Sequence, residues 1–222
     1  MRDTATRTLL CYGDSNTHGT LPLPDLQTKA RMAREDRWVT HLAHALPDWE
    51  VIAEGLPGRT VLHDDPIEGA HRNGLTLLSA ILESHAPIDL VLVMLGTNDL
   101  KPRFGMQAAE IAQSLERMTR AILSSGCGPG GGAPQVLLVA PPPIAETGCL
   151  AGMFAGGATK SRALAPALAQ VATRLGVGFV DAAPLVQVSA VDGIHYEVAA
   201  MPALAKGLVA AVQSAMPQNS TD

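Results

Sequence analysis

Residues 88–96 read IDLVLVMLG, apolar at almost every position and closed by a glycine. A strand of that kind is buried on both faces, which happens when helices cover both sides of a parallel sheet. The rest of the chain fits that constraint. Residues 8–13 (TLLCYG), 49–55 (WEVIAEG), 135–143 (QVLLVAPPP) and 177–183 (VGFVDAA) are further short apolar runs, the fourth cut off by prolines. Longer stretches of helical period separate them. Residues 30–46 place Trp38, Leu42 and Leu46 on one helical face, and residues 74–85, 106–125, 160–176 and 199–215 also predict helices. Pro166 is expected to kink its helix or to sit in the first turn. Strand-helix alternation predicts an α/β fold with a mainly parallel sheet and right-handed crossovers.

Composition narrows the function classes. The chain has 222 residues, 47% hydrophobic and 17% charged, enough for one domain over 1–222 with a sizeable core. That core spans about 7–216, and the tail 217–222 is expected to be disordered. A net charge of -5 and the lack of any Lys/Arg run argue against nucleic acid or an anionic membrane as partner. No apolar run approaches a bilayer span. Cys11, Cys127 and Cys149 are odd in number and without CxxC spacing, so neither a disulfide framework nor a thiolate metal site is expected. They read as free thiols in a reducing compartment. The first strand begins within a few residues of Met1, which leaves no room for a leader's apolar segment and makes the cytoplasm the expected location.

Four polar segments fall at the carboxyl ends of the expected strands: Gly13-Asp14-Ser15-Asn16, residues 54–60 (EGLPGRT), Gly96-Thr97-Asn98-Asp99 and Asp192-Gly193-Ile194-His195. A parallel sheet gathers such ends along one edge, where ligands bind. A serine hydroxyl needs an adjacent base to become nucleophilic, and Ser15 is the candidate. A base histidine needs a partner that holds its tautomer; Asp192, three residues before His195 across a glycine turn, suits that task. Acyl transfer also needs donors aimed at a developing oxyanion. The Asn98 amide and the backbone N–H groups of Gly58 and Ser15 are candidates. Each segment alone also fits an ordinary turn. Asp14 and Asp99 are expected to fix their loops by accepting backbone hydrogen bonds. Asp64, Asp65 and Glu68 lack clustered histidines and read as solvated loop charges, not metal ligands. The glycine-rich stretch 124–134 lacks P-loop spacing and reads as a surface loop. The long loop 141–160, carrying Met153 and Phe154, is a candidate wall or lid of the crevice.

These four segments, in this order, resemble the blocks of the SGNH (GDSL-type) hydrolase superfamily. Ser15 stands in GDSN, Gly58 in GLPGRT, Asn98 in GTND and His195 in DGIH. The stretches EGLPGRT, DDP, NGL, DLVLVMLGTND, VAPPP and VDGIH are similar to the arylesterase/acyltransferase branch typified by the mycobacterial enzyme. The resemblance implies a three-layer α/β/α, flavodoxin-like fold with a five-stranded sheet. It also implies esterase activity on short acyl esters without metal or cofactor, acyl-transfer side activity and a homo-oligomer. Residues 18–37 and 61–73 correspond to loops associated with oligomer contacts there. The first block reads GDSN in place of GDSL, and His18 and Thr20 stand where that branch has aromatic residues. A wetter mouth favours hydrolysis over acyl transfer. His18, Arg59, Met153 and Phe154 are the expected substrate contacts.

The expected function is therefore hydrolysis of a small-molecule acetyl-type ester through Ser15, His195 and Asp192. Activity should rise as the histidine loses its proton. A carbohydrate O-acetylesterase is the same chemistry on another substrate. A non-catalytic flavodoxin-like binding module is the alternative from another class. A lipase fits poorly, since no greasy lid is announced.

Overall fold

The computed structural model describes residues 6–216, so the tail at 217–222 lies outside the described residues. Five strands form one sheet: β1 (Arg7–Gly13), β2 (Trp49–Gly55), β3 (Leu90–Met94), β4 (Gln135–Ala140) and β5 (Gly178–Asp181). Their order is β2-β1-β3-β4-β5, and every neighbouring pair is parallel. This is the doubly wound arrangement in which the chain reverses direction across the sheet between β1 and β3, opening a crevice at their carboxyl ends.

The helices are α1 (Ser15–His18), α2 (Trp38–Ala45), α3 (Gly74–His85), α4 (Ala108–Leu123), α5 (Gly157–Arg162), α6 (Leu164–Leu175) and α7 (Met201–Ser214). Side chains alternate across each strand, and both faces are apolar. Leu10, Tyr12, Val91, Val93, Val136 and Leu138 pack with Leu78, Leu82, Ile111, Leu115, Met118 and Leu168 of α3, α4 and α6. On the other face, Leu9, Cys11, Leu90, Leu92, Leu137 and Val139 pack with Trp38, Leu42, Leu204, Leu208 and Val212 of α2 and α7. The result is three layers, with β3 buried throughout at the centre.

Two helices differ from the sequence expectation. The helix expected over 30–46 begins only at Trp38; a separate 3₁₀ turn covers Arg34–Asp36. The helix expected over 160–176 is two helices broken at Ala163, and Pro166 sits in the first turn of α6, where its missing N–H costs no bond. Among the described residues, no helix is long and apolar enough to cross a membrane.

Candidate active site

Ser15 sits at the turn from β1 into α1. Asp14 caps that short helix by accepting the Asn16 N–H at 3.0 Å, and its own carbonyl accepts the His18 N–H at 2.9 Å. The Ser15 backbone is thereby fixed, with its side chain buried at the head of the helix. Burial raises the Asp14 carboxyl to about 6; the Asn16 N–H and the charges of His195 and Arg59 counter only part of that rise.

The sheet brings the distant end of the chain onto this turn. Ser15 Oγ donates to His195 Nε2 at 3.0 Å, and His195 Nδ1 donates to Asp192 Oδ2 at 2.6 Å. Asp192 Oδ1 accepts the N–H groups of Ile194 and His195, both at 2.9 Å, so the carboxylate is locked to its own turn. That turn closes through Gly193, whose φ is 73° and whose hypothetical Cβ would stand 1.9 Å from the Ala145 carbonyl oxygen. Only glycine fits both demands. Burial would raise the Asp192 carboxyl, but the His195 hydrogen bond and charge, with N–H donors of Leu23 and His195, outweigh it and bring it down to about 2. Asp192 is therefore a carboxylate at neutral pH, and its bond leaves Nε2 as the acceptor facing Ser15.

The expected oxyanion donors lie at the ends of β2 and β3. Gly58 has a φ of 76°, a backbone conformation that strains any residue with a side chain, so this position also favours glycine. Neither the Gly58 N–H nor the Ser15 N–H has an acceptor among the described residues. Asn98 is buried; its Nδ2 donates to the Arg59 carbonyl at 3.2 Å and lies 3.5 Å from Asp14 Oδ2. Its neighbour Asp99 is wholly buried and accepts the Val61 N–H through both oxygens at 3.1 Å.

The expected substrate contacts divide. Arg59 is turned into the protein: its Nη1 donates to the carbonyls of Gly13, at 2.8 Å, and Glu54, and its guanidinium lies 4.0 Å over the Tyr12 ring. It ties β1 to β2. Phe154 is also turned inward, buried in the core beneath α4 and α6, because the loop 141–160 folds into two 3₁₀ turns. Met153 is half-buried against the same core. That loop backs the Asp192 turn: a Cβ on Gly148 would stand 1.9 Å from the Val191 carbonyl oxygen. His18, the last residue of α1, is half-buried, with Nδ1 3.0 Å from Thr20 Oγ1. Burial, then the nearby Arg31 and Arg37, lowers its pKa to about 4, so it is neutral at pH 7.

Three features escaped the sequence reading. Asn16 Nδ2 donates to the Ile194 carbonyl at 3.2 Å, stapling the Ser15 turn to the His195 turn. The signal was present, since asparagine replaces an apolar residue of the motif at that position. Leu23 N–H donates to Asp192 Oδ2 at 2.8 Å, and no local pattern announces a contact across 169 residues. The third is a correction. Asp65 is buried and Glu68 half-buried, and both pair with Lys101 and Arg103. Lys101 is itself 2% exposed. Long basic side chains arriving from the segment after β3 neutralise the loop between β2 and α3. The described residues hold no group of three or more His, Cys, Asp or Glu that could bind a metal ion.

A parallel sheet with a serine, a histidine and an aspartate converging at its switch-point edge is the arrangement of an SGNH-type carboxylic ester hydrolase. The chain belongs to the GDSL-like lipase/acylhydrolase family, whose model matches residues 11–200. Among solved structures, an aryl esterase of M. smegmatis is 38% identical with a TM-score of 0.89, covering 95% of this chain and 100% of its own. A carbohydrate acetylesterase family member from Sinorhizobium meliloti is 38% identical with a TM-score of 0.86 (94% and 98% covered). Est24, a carbohydrate acetylesterase from Sinorhizobium meliloti, is 36% identical with a TM-score of 0.89 (94% and 99% covered). No match was found among curated protein sequences.

Proposed function

We propose that this chain hydrolyses short acyl, acetyl-type esters through an acyl-enzyme on Ser15. The observation that carries the reading is the unbroken relay from Ser15 Oγ to His195 Nε2 at 3.0 Å and from His195 Nδ1 to Asp192 Oδ2 at 2.6 Å. In the first step His195 takes the Ser15 proton as Oγ attacks the ester carbonyl, with Asp192 holding the imidazolium. The N–H groups of Ser15 and Gly58 and the Asn98 amide bear on the oxyanion. Collapse of the intermediate breaks the bond to the leaving alcohol, which receives the proton from His195. Water then attacks the acyl-enzyme with His195 again as base, releasing the acid and restoring Ser15. For Asn98, the 3.5 Å contact to Asp14 is long enough to yield to a developing oxyanion.

Hydrolysis is the main outcome and transfer to alcohols the lesser one, since His18 and Thr20 make a polar mouth near the nucleophile. That polarity, with the carbohydrate acetylesterases among the similar structures, supports acetylated carbohydrate as a second substrate reading. The test is Ser15→Ala assayed on p-nitrophenyl acetate, expected to lower kcat by roughly 10⁴-fold or more. Retained turnover refutes the proposal. Comparing an acetylated sugar with an aryl acetate decides between the substrates.

A further inference from the structure

The segment Pro22-Leu23-Pro24 crosses the chain's long loop between α1 and α2 and touches the far end of the relay. Its geometry is unusually constrained. Pro22 and Pro24 have no N–H and fixed φ, and Pro24 holds the residue before it extended. Leu23 therefore carries the one amide proton of the three residues, and that proton is given to Asp192 Oδ2 at 2.8 Å. The Leu23 carbonyl accepts the Cys149 thiol at 3.3 Å, and the Leu23 side chain packs against the core beneath α4 and α6. The base of the loop is pinned as well: Leu21 N–H donates to the Ala30 carbonyl at 3.0 Å, and Met32 N–H to the Gly19 carbonyl at 2.7 Å. Asp25 closes its tip by accepting the N–H groups of Gln27 and Thr28.

We propose that Leu23 is a positioning residue for the Asp192–His195 pair, acting through its backbone N–H; the inference rests on the esterase reading of the site. Asp192 Oδ1 is fixed by its own turn, through Ile194 and His195. Oδ2 is the oxygen that faces the imidazole, and among the described residues the one donor it receives from outside that turn is Leu23. Without it, the carboxylate can swing about Oδ1, and the charge on Oδ2 is no longer shared between two donors. The undivided charge stabilises the imidazolium, so the pH at which His195 becomes a competent base moves up. The charged groups bearing on His195 are Asp192 and, from the turn after β1, Asp14. A backbone change at position 23 leaves both in place.

The experiment replaces the Leu23 residue by its α-hydroxy acid analogue, which turns the amide from Pro22 into an ester and the N–H into oxygen while keeping the side chain. The readout is the acidic limb of kcat/KM on p-nitrophenyl acetate, measured beside the natural chain and Ser15→Ala. The limb is expected to move up by about half a pH unit, with kcat/KM at neutral pH reduced about tenfold. A limb that stays in place overturns the proposal whatever happens to the melting temperature, because a merely structural bond would cost stability without moving the titration. Where the ester protein does not fold, Leu23→Ala decides in the same way: it keeps the N–H but loses the anchor that aims it, and a smaller upward movement supports the proposal while none overturns it. Full activity of Ser15→Ala marks failure of the esterase reading itself. Ser15-dependent activity with an unmoved limb marks failure of the Leu23 inference alone.

Discussion

Two groups of buried charge lie at the carboxyl edge of the sheet, and they are built in opposite ways. In the loop between β2 and α3, Asp65 and Glu68 meet Lys101 and Arg103, charge against charge, with contacts of 2.6 to 3.8 Å. At the other group, Asp192 is surrounded mainly by backbone N–H donors and meets one titratable partner, His195, whose second nitrogen is turned to Ser15. The first group is closed: its ions neutralise one another. The second is open at one end, and the open end is a hydroxyl able to give up a proton. Burial of charge alone therefore does not mark chemistry here; an incomplete chain of partners does.

The largest effect is expected at the open end. Asp192→Asn should keep the fold yet present the wrong imidazole tautomer to Ser15, lowering kcat by about 10⁴-fold on p-nitrophenyl acetate. An activity near that of the natural chain would mean that the relay does not carry the reaction. The closed end should respond in the opposite currency. Lys101→Met keeps the apolar stem and removes the charge, leaving Arg103 to hold both carboxylates. Stability is expected to fall by about 3 kcal/mol in denaturant titration, while kcat of the folded protein changes by less than about threefold. A large kcat loss without a stability loss would erase the distinction between the two groups.

A third measurement sharpens the comparison through pH. The Asp192 carboxyl is lowered from 3.8 to about 2 on folding, so its contribution to stability is present above about pH 4 and is lost as pH falls towards 2. The stability gap between the natural chain and Asp192→Asn should therefore narrow over that window, by about 2 kcal/mol. Asp14 works in the other direction: with its pKa raised to about 6, its charge weakens the fold as pH rises from about 4 through 6. The smallest effect is expected at the staple between the two turns. Asn16→Leu restores the apolar residue of the common motif but removes the bond to Ile194, and kcat/KM should fall about tenfold with KM nearly unchanged. An acidic limb near neutrality in any of these profiles does not belong to His18, which is already neutral above about pH 4.

These contrasts also explain what could be read from residue order. The strands announced themselves because a doubly covered sheet demands runs such as LVLVM in β3, and their parallel pairing then placed Ser15, Gly58, Asn98 and His195 on one edge. The end of α3 was clear from Pro87, which cannot continue the helix, whereas the start of α2 was not. Residues 30–37 have helical composition, but Arg37 is extended and donates through its side chain to the Met32 carbonyl, a local bond that holds this stretch in a loop against its propensity. The charges were the least legible. Asp65 and Lys101 look like solvent residues until the fold sets them 3.8 Å apart, and Arg59 looks like a ligand contact until Tyr12 and Gly13 receive it. For Asp65, Lys101 and Arg59 the deciding partner is remote in sequence, and local pattern carries no trace of it.

Ser15 and His195 are 180 residues apart in sequence and are brought together by the parallel sheet and the bonds between their two turns. On the proposed mechanism, a chain emerging from the ribosome exposes Ser15 long before His195 exists. Ser15 then stays inert until the turn that carries His195 has reached it. Contacts of such long sequence separation form late and slowly. Reactivity of Ser15 is accordingly a clock for the final event of folding: in a refolding time course, acylation by an activated ester should lag behind the return of helical signal.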